Sequence, residues 1–120
     1  FFYKSLIERK PLAEIYFDPE ELDKMKTAAE VVVYGAGMIA EEVIELLKYY
    51  QITNYSIAVT DKKKNPAVFC GREVHEIQEV YRNMEKAYII IAVSPQYQGE
   101  IKKLLSSLGL NNFCVIKKYY

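Results

Sequence analysis

The stretch VVVYGAGMIAEEV, from Val31 to Val43, decides the fold of this chain. A β-branched run turns through Gly35 and Gly37 and opens directly into a helical pattern. In a strand–turn–helix unit with this spacing, Gly35 permits a tight turn off the strand, and Gly37 lets a pyrophosphate approach the backbone. Ala40, at the third position of the motif, lets helix and strand pack closely. The stretch therefore predicts the first strand, turn and helix of a dinucleotide-binding βαβ unit.

Composition narrows the class of protein and its setting. With 120 residues, of which 51% are hydrophobic, the chain suits one compact domain but is small for a complete oxidoreductase. The charges of its 16 basic and 16 acidic residues cancel, so the chain has no net positive charge that would attract nucleic acid or an anionic membrane. We find no membrane-length apolar run and no signal peptide. Cys70 and Cys114 are too few for a disulfide framework, which favours a cytoplasmic setting.

From Val31 onward, strand-like and helix-like segments alternate. The patterns predict strands at 31–34, 55–59, 88–93 and 113–116, and a short extended piece within 67–74 that is broken by Gly71. They predict helices at about 38–50, 77–84 and 101–108, the last closed by Gly109. Alternation of this kind implies a parallel sheet with helices on both faces. We therefore predict a three-layer, Rossmann-like α/β domain over residues 31–120, with a five-stranded parallel sheet in the order 3-2-1-4-5.

Residues 1–30 differ in character, and we interpret them as a helical N-terminal extension or linker. Asp18 followed by Pro19 is typical of a helix start, and predicts a helix over about 19–29. A second short helix, interrupted at Pro11, is predicted between Tyr3 and Tyr16. The chain lacks an initiating Met, so we expect it to be part of a longer protein with a covalently attached neighbouring domain.

An acidic residue follows the second predicted strand. Asp61 lies 24 residues after Gly37, close to the roughly 20-residue spacing at which a carboxylate binds ribose hydroxyls. Asp also suits turns, so both interpretations stay open. Lys62–Lys64 either neutralise a 2′-phosphate, which would favour NADP over NAD, or form a solvated turn.

The loop after the fourth predicted strand faces the glycine turn at the carboxyl edge of the sheet, where ligands bind in doubly wound folds. Ser94 would reach a phosphate or ribose there, and Tyr97 would cover a ring; a capped helix start is the alternative. His75 has no catalytic partner pattern and is interpreted as a surface or helix-start residue. The candidate cofactor-binding residues are Gly35, Ala36, Gly37, Met38, Asp61 and Ser94, with no metal ligand among them.

Several enzyme signatures are absent from the sequence. No Tyr is followed by Lys four residues later, the pair that short-chain dehydrogenases and epimerases need for proton transfer. No GxxxxGK[ST] phosphate loop is present. We do not expect the chain to catalyse a reaction by itself. The tyrosine pairs Tyr49-Tyr50 and Tyr119-Tyr120 favour packing or contact with a partner, including a second copy in a homodimer.

The segments VVVYGAGMIAEEVIELL, IAVTDKKKNP, CGREV and AYIIIAVSPQYQGEIKKLLSSLG together carry a family resemblance over about residues 31–116. The chain resembles the small Rossmann-type domains of bacterial surface-polysaccharide proteins. Such domains stand at the front of sugar acetyltransferases and in membrane-anchored nucleotide-sugar dehydratases and epimerases. The resemblance implies that Gly35, Gly37 and Asp61 face a nucleotide or nucleotide-sugar. Ala40 departs from the third glycine that is usual in the family.

These observations lead to one expectation and two alternatives. We expect a binding module for a nucleotide or nucleotide-sugar, with NAD or NADP as candidate cofactors, within a larger protein of bacterial polysaccharide or sugar-nucleotide metabolism. One alternative is a subunit of an NAD(P)-dependent oxidoreductase or epimerase. The other is a Rossmann-shaped interaction or dimerisation domain that binds no ligand.

Overall fold

The computed structural model describes residues 16–116. The helix predicted before Tyr16 and the pair Tyr119-Tyr120 lie outside the described residues. The helices are α1 (Pro19–Thr27), α2 (Met38–Tyr49), α3 (Ile77–Val80) and α4 (Pro95–Ser107), with 3-10 helices at Lys62–Lys64 and Tyr81–Met84. The strands are β1 (Val31–Tyr34), β2 (Tyr55–Val59), β3 (Val68–Phe69), β4 (Arg72–Glu76), β5 (Tyr88–Ile91) and β6 (Phe113–Val115).

The strands form one six-stranded sheet in the order β3-β4-β2-β1-β5-β6. β1 pairs in parallel with both β2 and β5, while β4 and β6 extend the parallel part on either side. Only β3 is antiparallel, against β4. The chain is therefore a mixed α/β protein with a mostly parallel sheet, as predicted, but with six strands instead of five.

The additional strand arises within residues 67–74, where the sequence predicts one short extended piece interrupted at Gly71 but no hairpin. A two-residue turn at Cys70-Gly71 splits this stretch into the hairpin β3–β4. Both turn residues have positive φ angles, +51° at Cys70 and +79° at Gly71. Paired positive φ values are typical of the tight turns that match the twist of a hairpin, and Asn-Gly is their usual signature. Cys at the first position concealed the turn.

Helices cover both faces of the sheet, which explains why all four residues of β1 are buried. Val31 and Val33 pack in a core that includes residues of α1 and α2. Val32 and Tyr34 point the other way, into a second core formed with residues of α3 and α4. Because successive side chains of β1 point to opposite faces, this one strand packs against the helices on both sides of the sheet.

Helix α1 begins as its sequence predicts and shares the core of the sheet. Asp18 is the N-cap, Pro19 is the first helical residue, and the backbone N–H of Asp18 donates to Glu21 Oε1 at 2.8 Å. Phe17 and Met25 are 2% and 3% exposed and belong to the same core cluster as Val31. The segment just before β1 thus packs against the sheet.

The other helices agree with the predicted pattern only in part: the helix predicted at 77–84 is α-helical over Ile77–Val80 and 3-10 over Tyr81–Met84, and α4 begins at Pro95, before the predicted start near residue 101. α4 closes at Gly109, whose φ is +80°, and the N–H of Leu110 returns to the carbonyl of Leu105 at 2.9 Å. At 13 residues α4 is the longest of the described helices. Within residues 16–116, no helix has the length and apolar character needed to cross a membrane.

Candidate functional site

A cleft of about 1070 Å³ opens at the carboxyl edge of the parallel strands, beside the point where β1 leads into α2. The order of the sheet reverses there, since β2 lies on one side of β1 and β5 on the other. Crevices at such a reversal are where ligands bind in open α/β sheets. The structure brings all six sequence-predicted site residues to the wall of this cleft: Gly35, Ala36, Gly37, Met38, Asp61 and Ser94.

Gly35 forms the turn off β1 and cannot be replaced without a clash. Its φ is +135°, and a Cβ atom there would lie 2.6 Å from the carbonyl oxygen of Ala92. Its own N–H donates to the carbonyl of Ala58 at 2.9 Å. This backbone therefore passes directly between the ends of β2 and β5, and the glycine is required by the fold.

Gly37 differs from Gly35 because it faces open space. It is the N-cap of α2, with an extended backbone, and no atom lies within 4 Å of a Cβ placed on it. Met38, the next residue, is 75% exposed. The first-turn N–H groups of a helix have no acceptor within the helix and carry its partial positive charge. The start of α2 thus offers an accessible group of backbone donors to the cleft.

Ala40 lies on the opposite side of the same helical turn and is fully buried. It packs in the core cluster with β1, so a small residue at this position lets α2 lie close to the sheet. The close approach expected for the third motif position is therefore present with Ala in place of Gly.

Asp61 lies at the end of β2 and also caps the 3-10 helix that follows. Its Oδ1 accepts a hydrogen bond from the N–H of Lys63 at 2.9 Å, and its backbone oxygen accepts one from Asn65 Nδ2 at 2.7 Å. The turn role considered for this residue is thus observed, and the side chain still lines the cleft. Of the three lysines, Lys64 lines the cleft, while the N–H of Lys62 donates to Glu76 Oε2 at 3.0 Å.

The start of α4 forms the opposite wall. Ser94 is the N-cap and Pro95 the first helical residue, so the helix start considered for this loop is observed. Gln98 Nε2 donates to the carbonyl of Val93 at 3.0 Å and to that of Ile116 at 3.4 Å. These bonds fix the helix to the ends of two strands. Tyr97, which is 50% exposed, lines the cleft from this wall.

A pair of hydroxyl groups at the base of the cleft escaped the sequence analysis. Tyr34 ends β1 and is 1% exposed, and its hydroxyl forms a short hydrogen bond with Thr60 Oγ1 just beyond β2. Burial raises the pKa of Tyr34; the Thr60 hydrogen bond opposes this shift and the charge of Glu76 adds to it. The signal in the sequence was a Tyr that ends a β-branched strand, directly before the glycine turn.

Other candidate residues do not join the cleft. His75 is half-buried on β4, and Cys70 lies in the hairpin turn, where burial raises the pKa of its thiol. Cys114 is buried in the core beside Tyr88. Within the part of the chain that the structure describes, no three His, Cys, Asp or Glu side chains are grouped so as to hold a metal ion.

The Tyr49-Tyr50 pair lies at the far end of α2. The two rings meet edge to face, with centroids 5.1 Å apart, and the Lys26 ammonium lies 4.6 Å from the centroid of Tyr50. Tyr49 is 37% exposed. Part of the pair therefore packs against α1, and part faces solvent.

No protein-family model matches the chain, and neither the curated proteins nor the solved structures contain a match to it.

Proposed function

We propose that this chain is a Rossmann-like domain that binds a nucleotide or nucleotide-sugar within a larger protein of bacterial polysaccharide or sugar-nucleotide metabolism. NAD and NADP belong to the same ligand class and are included in the proposal. The polysaccharide setting rests on the family resemblance of the sequence. Binding rests on the cleft.

The observation that carries the proposal is the open space in front of Gly37. A phosphate placed there would meet the N–H groups at the start of α2, which favour an anion through both hydrogen bonds and the helix dipole. Gly35 is needed by the fold, but nothing in the folded chain requires a glycine at position 37. A ligand that approaches the backbone at this point explains Gly37, the glycine that the fold does not require.

Asp61 supports the same assignment from the neighbouring strand. Within residues 16–116 the N–H of Lys63 engages Oδ1 alone, and a carboxylate accepts through two oxygens. Oδ2 would accept from the hydroxyls of a ribose bound across the strand ends. Ser94 would line the phosphate side of the cleft, opposite Met38.

A thermal-shift screen tests the proposal with NAD, NADP, S-adenosylmethionine, coenzyme A, UDP-sugars and CDP-sugars as ligands. A ligand present at about a hundred times its Kd stabilises the folded state by about 2.7 kcal/mol. Gly37→Val should abolish that shift, because it places side-chain bulk where the phosphate would lie. Gly99→Ala is the matched control, since a Cβ at this exposed position on α4 also meets nothing within 4 Å.

A screen in which no compound changes the melting temperature would contradict the proposal and favour an interaction or dimerisation domain. Equal shifts for the wild type and Gly37→Val would place the ligand elsewhere on the chain.

A further inference from the structure

The hydroxyl pair formed by Tyr34 and Thr60 lies on one particular side of the cleft. Tyr34 aligns with Ala58 in the register between β1 and β2, and Thr60 lies two residues beyond Ala58, so both side chains point to the same face of the sheet. Tyr34 belongs to the core cluster formed with α3 and α4, whereas α2 packs on the opposite face. The pair therefore faces the part of the cleft between α3 and α4, away from the start of α2.

The protons of this pair can be counted. The two hydroxyls carry two O–H protons, and the hydrogen bond between them uses one. Among the described residues, each hydroxyl has the other as its only hydrogen-bond partner. Either hydroxyl can donate in that bond. With the buried phenol as donor, the exposed Thr60 keeps its own O–H for a group in the cleft. A hydroxyl that accepts a hydrogen bond becomes a stronger donor, and the pair thus presents one polarised donor to a ligand.

The surroundings of that donor suit a flat ring. Tyr97 and Ile101 of α4 give the cleft an aromatic and an aliphatic lining, and Gln78 of α3 adds an amide. Thr60 and Asp61 line the same cleft, so a ribose bound by the Asp61 carboxylate would place the attached base within reach of the pair. Every nucleobase carries acceptor atoms on its edge.

We propose that the Tyr34–Thr60 pair recognises the base of the bound nucleotide, with Thr60 donating a hydrogen bond to an acceptor on the base edge and Tyr34 positioning Thr60. The inference rests on the proposed function and adds to it the residues that recognise the base.

Calorimetric titration with ADP, UDP and ribose 5-phosphate tests the inference, because the third probe has the ribose and a phosphate without a base. Thr60→Val and Tyr34→Phe should each weaken the better-binding nucleoside diphosphate about tenfold. Both should leave the affinity for ribose 5-phosphate unchanged. Tyr88→Phe is the matched control: Tyr88 is also buried, at 3% exposed, but its core lies on the opposite face of the sheet. It should bind all three probes like the wild type.

The outcomes separate the two proposals. If the wild type binds ADP or UDP and both variants bind it equally well, base recognition by the pair is wrong and the proposed function stands. If the variants lose ribose 5-phosphate to the same extent, the pair contacts ribose or phosphate and the inference is wrong. If the wild type binds neither nucleotide, the inference fails, while the proposed function fails only if the whole ligand screen is negative. Thr60 is exposed, so Thr60→Val keeps the test valid if Tyr34→Phe does not fold.

Discussion

The carbonyl oxygen of Ala92 lies 2.6 Å from the position that a Cβ atom would take on Gly35. Two strand ends therefore meet at a distance that only glycine permits. The contact fixes where β1 turns, and with it the direction in which α2 begins. The geometry of the cleft depends on this one approach of backbone to backbone.

Gly35→Ala should destabilise the protein strongly. The substitution forces a side chain into a conformation with φ at +135° and into a backbone oxygen that cannot easily move. We expect the free energy of unfolding to fall by about 3 kcal/mol, the sum of backbone strain and steric overlap. Urea denaturation of the variant and the wild type measures the difference. Equal stability would show that the turn can rearrange.

Replacement of two further glycines by alanine should change the stability of the protein in opposite directions. Gly71 has a φ of +79° in the β3–β4 turn, so Gly71→Ala should cost about 1–2 kcal/mol of stability although no neighbouring atom is in the way. Gly99 lies within α4, and Gly99→Ala should stabilise by about 0.5–1 kcal/mol, because alanine favours the helix. Denaturation midpoints of the two variants test the contrast. Losses of similar size in both would contradict the assigned backbone conformations.

Two buried tyrosines should make the protein sensitive to alkali. Burial raises the pKa of Tyr34 and of Tyr88 above the ordinary value of a phenol. Their stabilising contribution is fully present below about pH 10, where the unfolded phenols are still protonated. It is lost as the pH rises toward the raised folded values, because the unfolded chain then binds fewer protons.

Urea denaturation between about pH 9 and pH 11 measures this loss, which amounts to at most about 1.4 kcal/mol per pH unit for each such group. Tyr34→Phe and Tyr88→Phe should each flatten the dependence. Tyr49→Phe, at an exposed position, is the control. A slope that neither buried variant changes would contradict the assignment of alkaline sensitivity to these two residues.

The sequence predicted the parts of the fold that follow from local rules. The run of valines in Val31–Tyr34 predicts a strand, and the apolar residues of α2 predict a helix because they repeat every three or four positions. Asp18 and Gly109 marked helix ends through capping preferences. Each of these signals lies within a few neighbouring residues.

The features that the sequence did not reveal depend on a residue type that is unusual for its backbone conformation, or on contacts between residues that are distant in the sequence. Gly71 marked a break in the extended piece, but the hairpin escaped because Cys70, the other turn residue, is of a type that rarely adopts a positive φ. The Tyr34–Thr60 pair joins the end of β1 to the residue just beyond β2, and only the register between these two strands brings them together. Gly35 and Gly37 look alike in the motif, and only the packing around Ala92 separates a structural glycine from one that faces open space.

The most direct test of the account compares the wild type with Gly37→Val in calorimetric titrations against the compound that shifts the melting temperature most in the ligand screen. A Cβ at position 37 meets no atom within 4 Å. The free energy of unfolding of the variant without ligand should therefore lie within about 1 kcal/mol of the wild-type value. The account predicts saturable binding to the wild type and none to the variant. Equal affinity in both proteins, or no binding by the wild type to any compound in the screen, would contradict it.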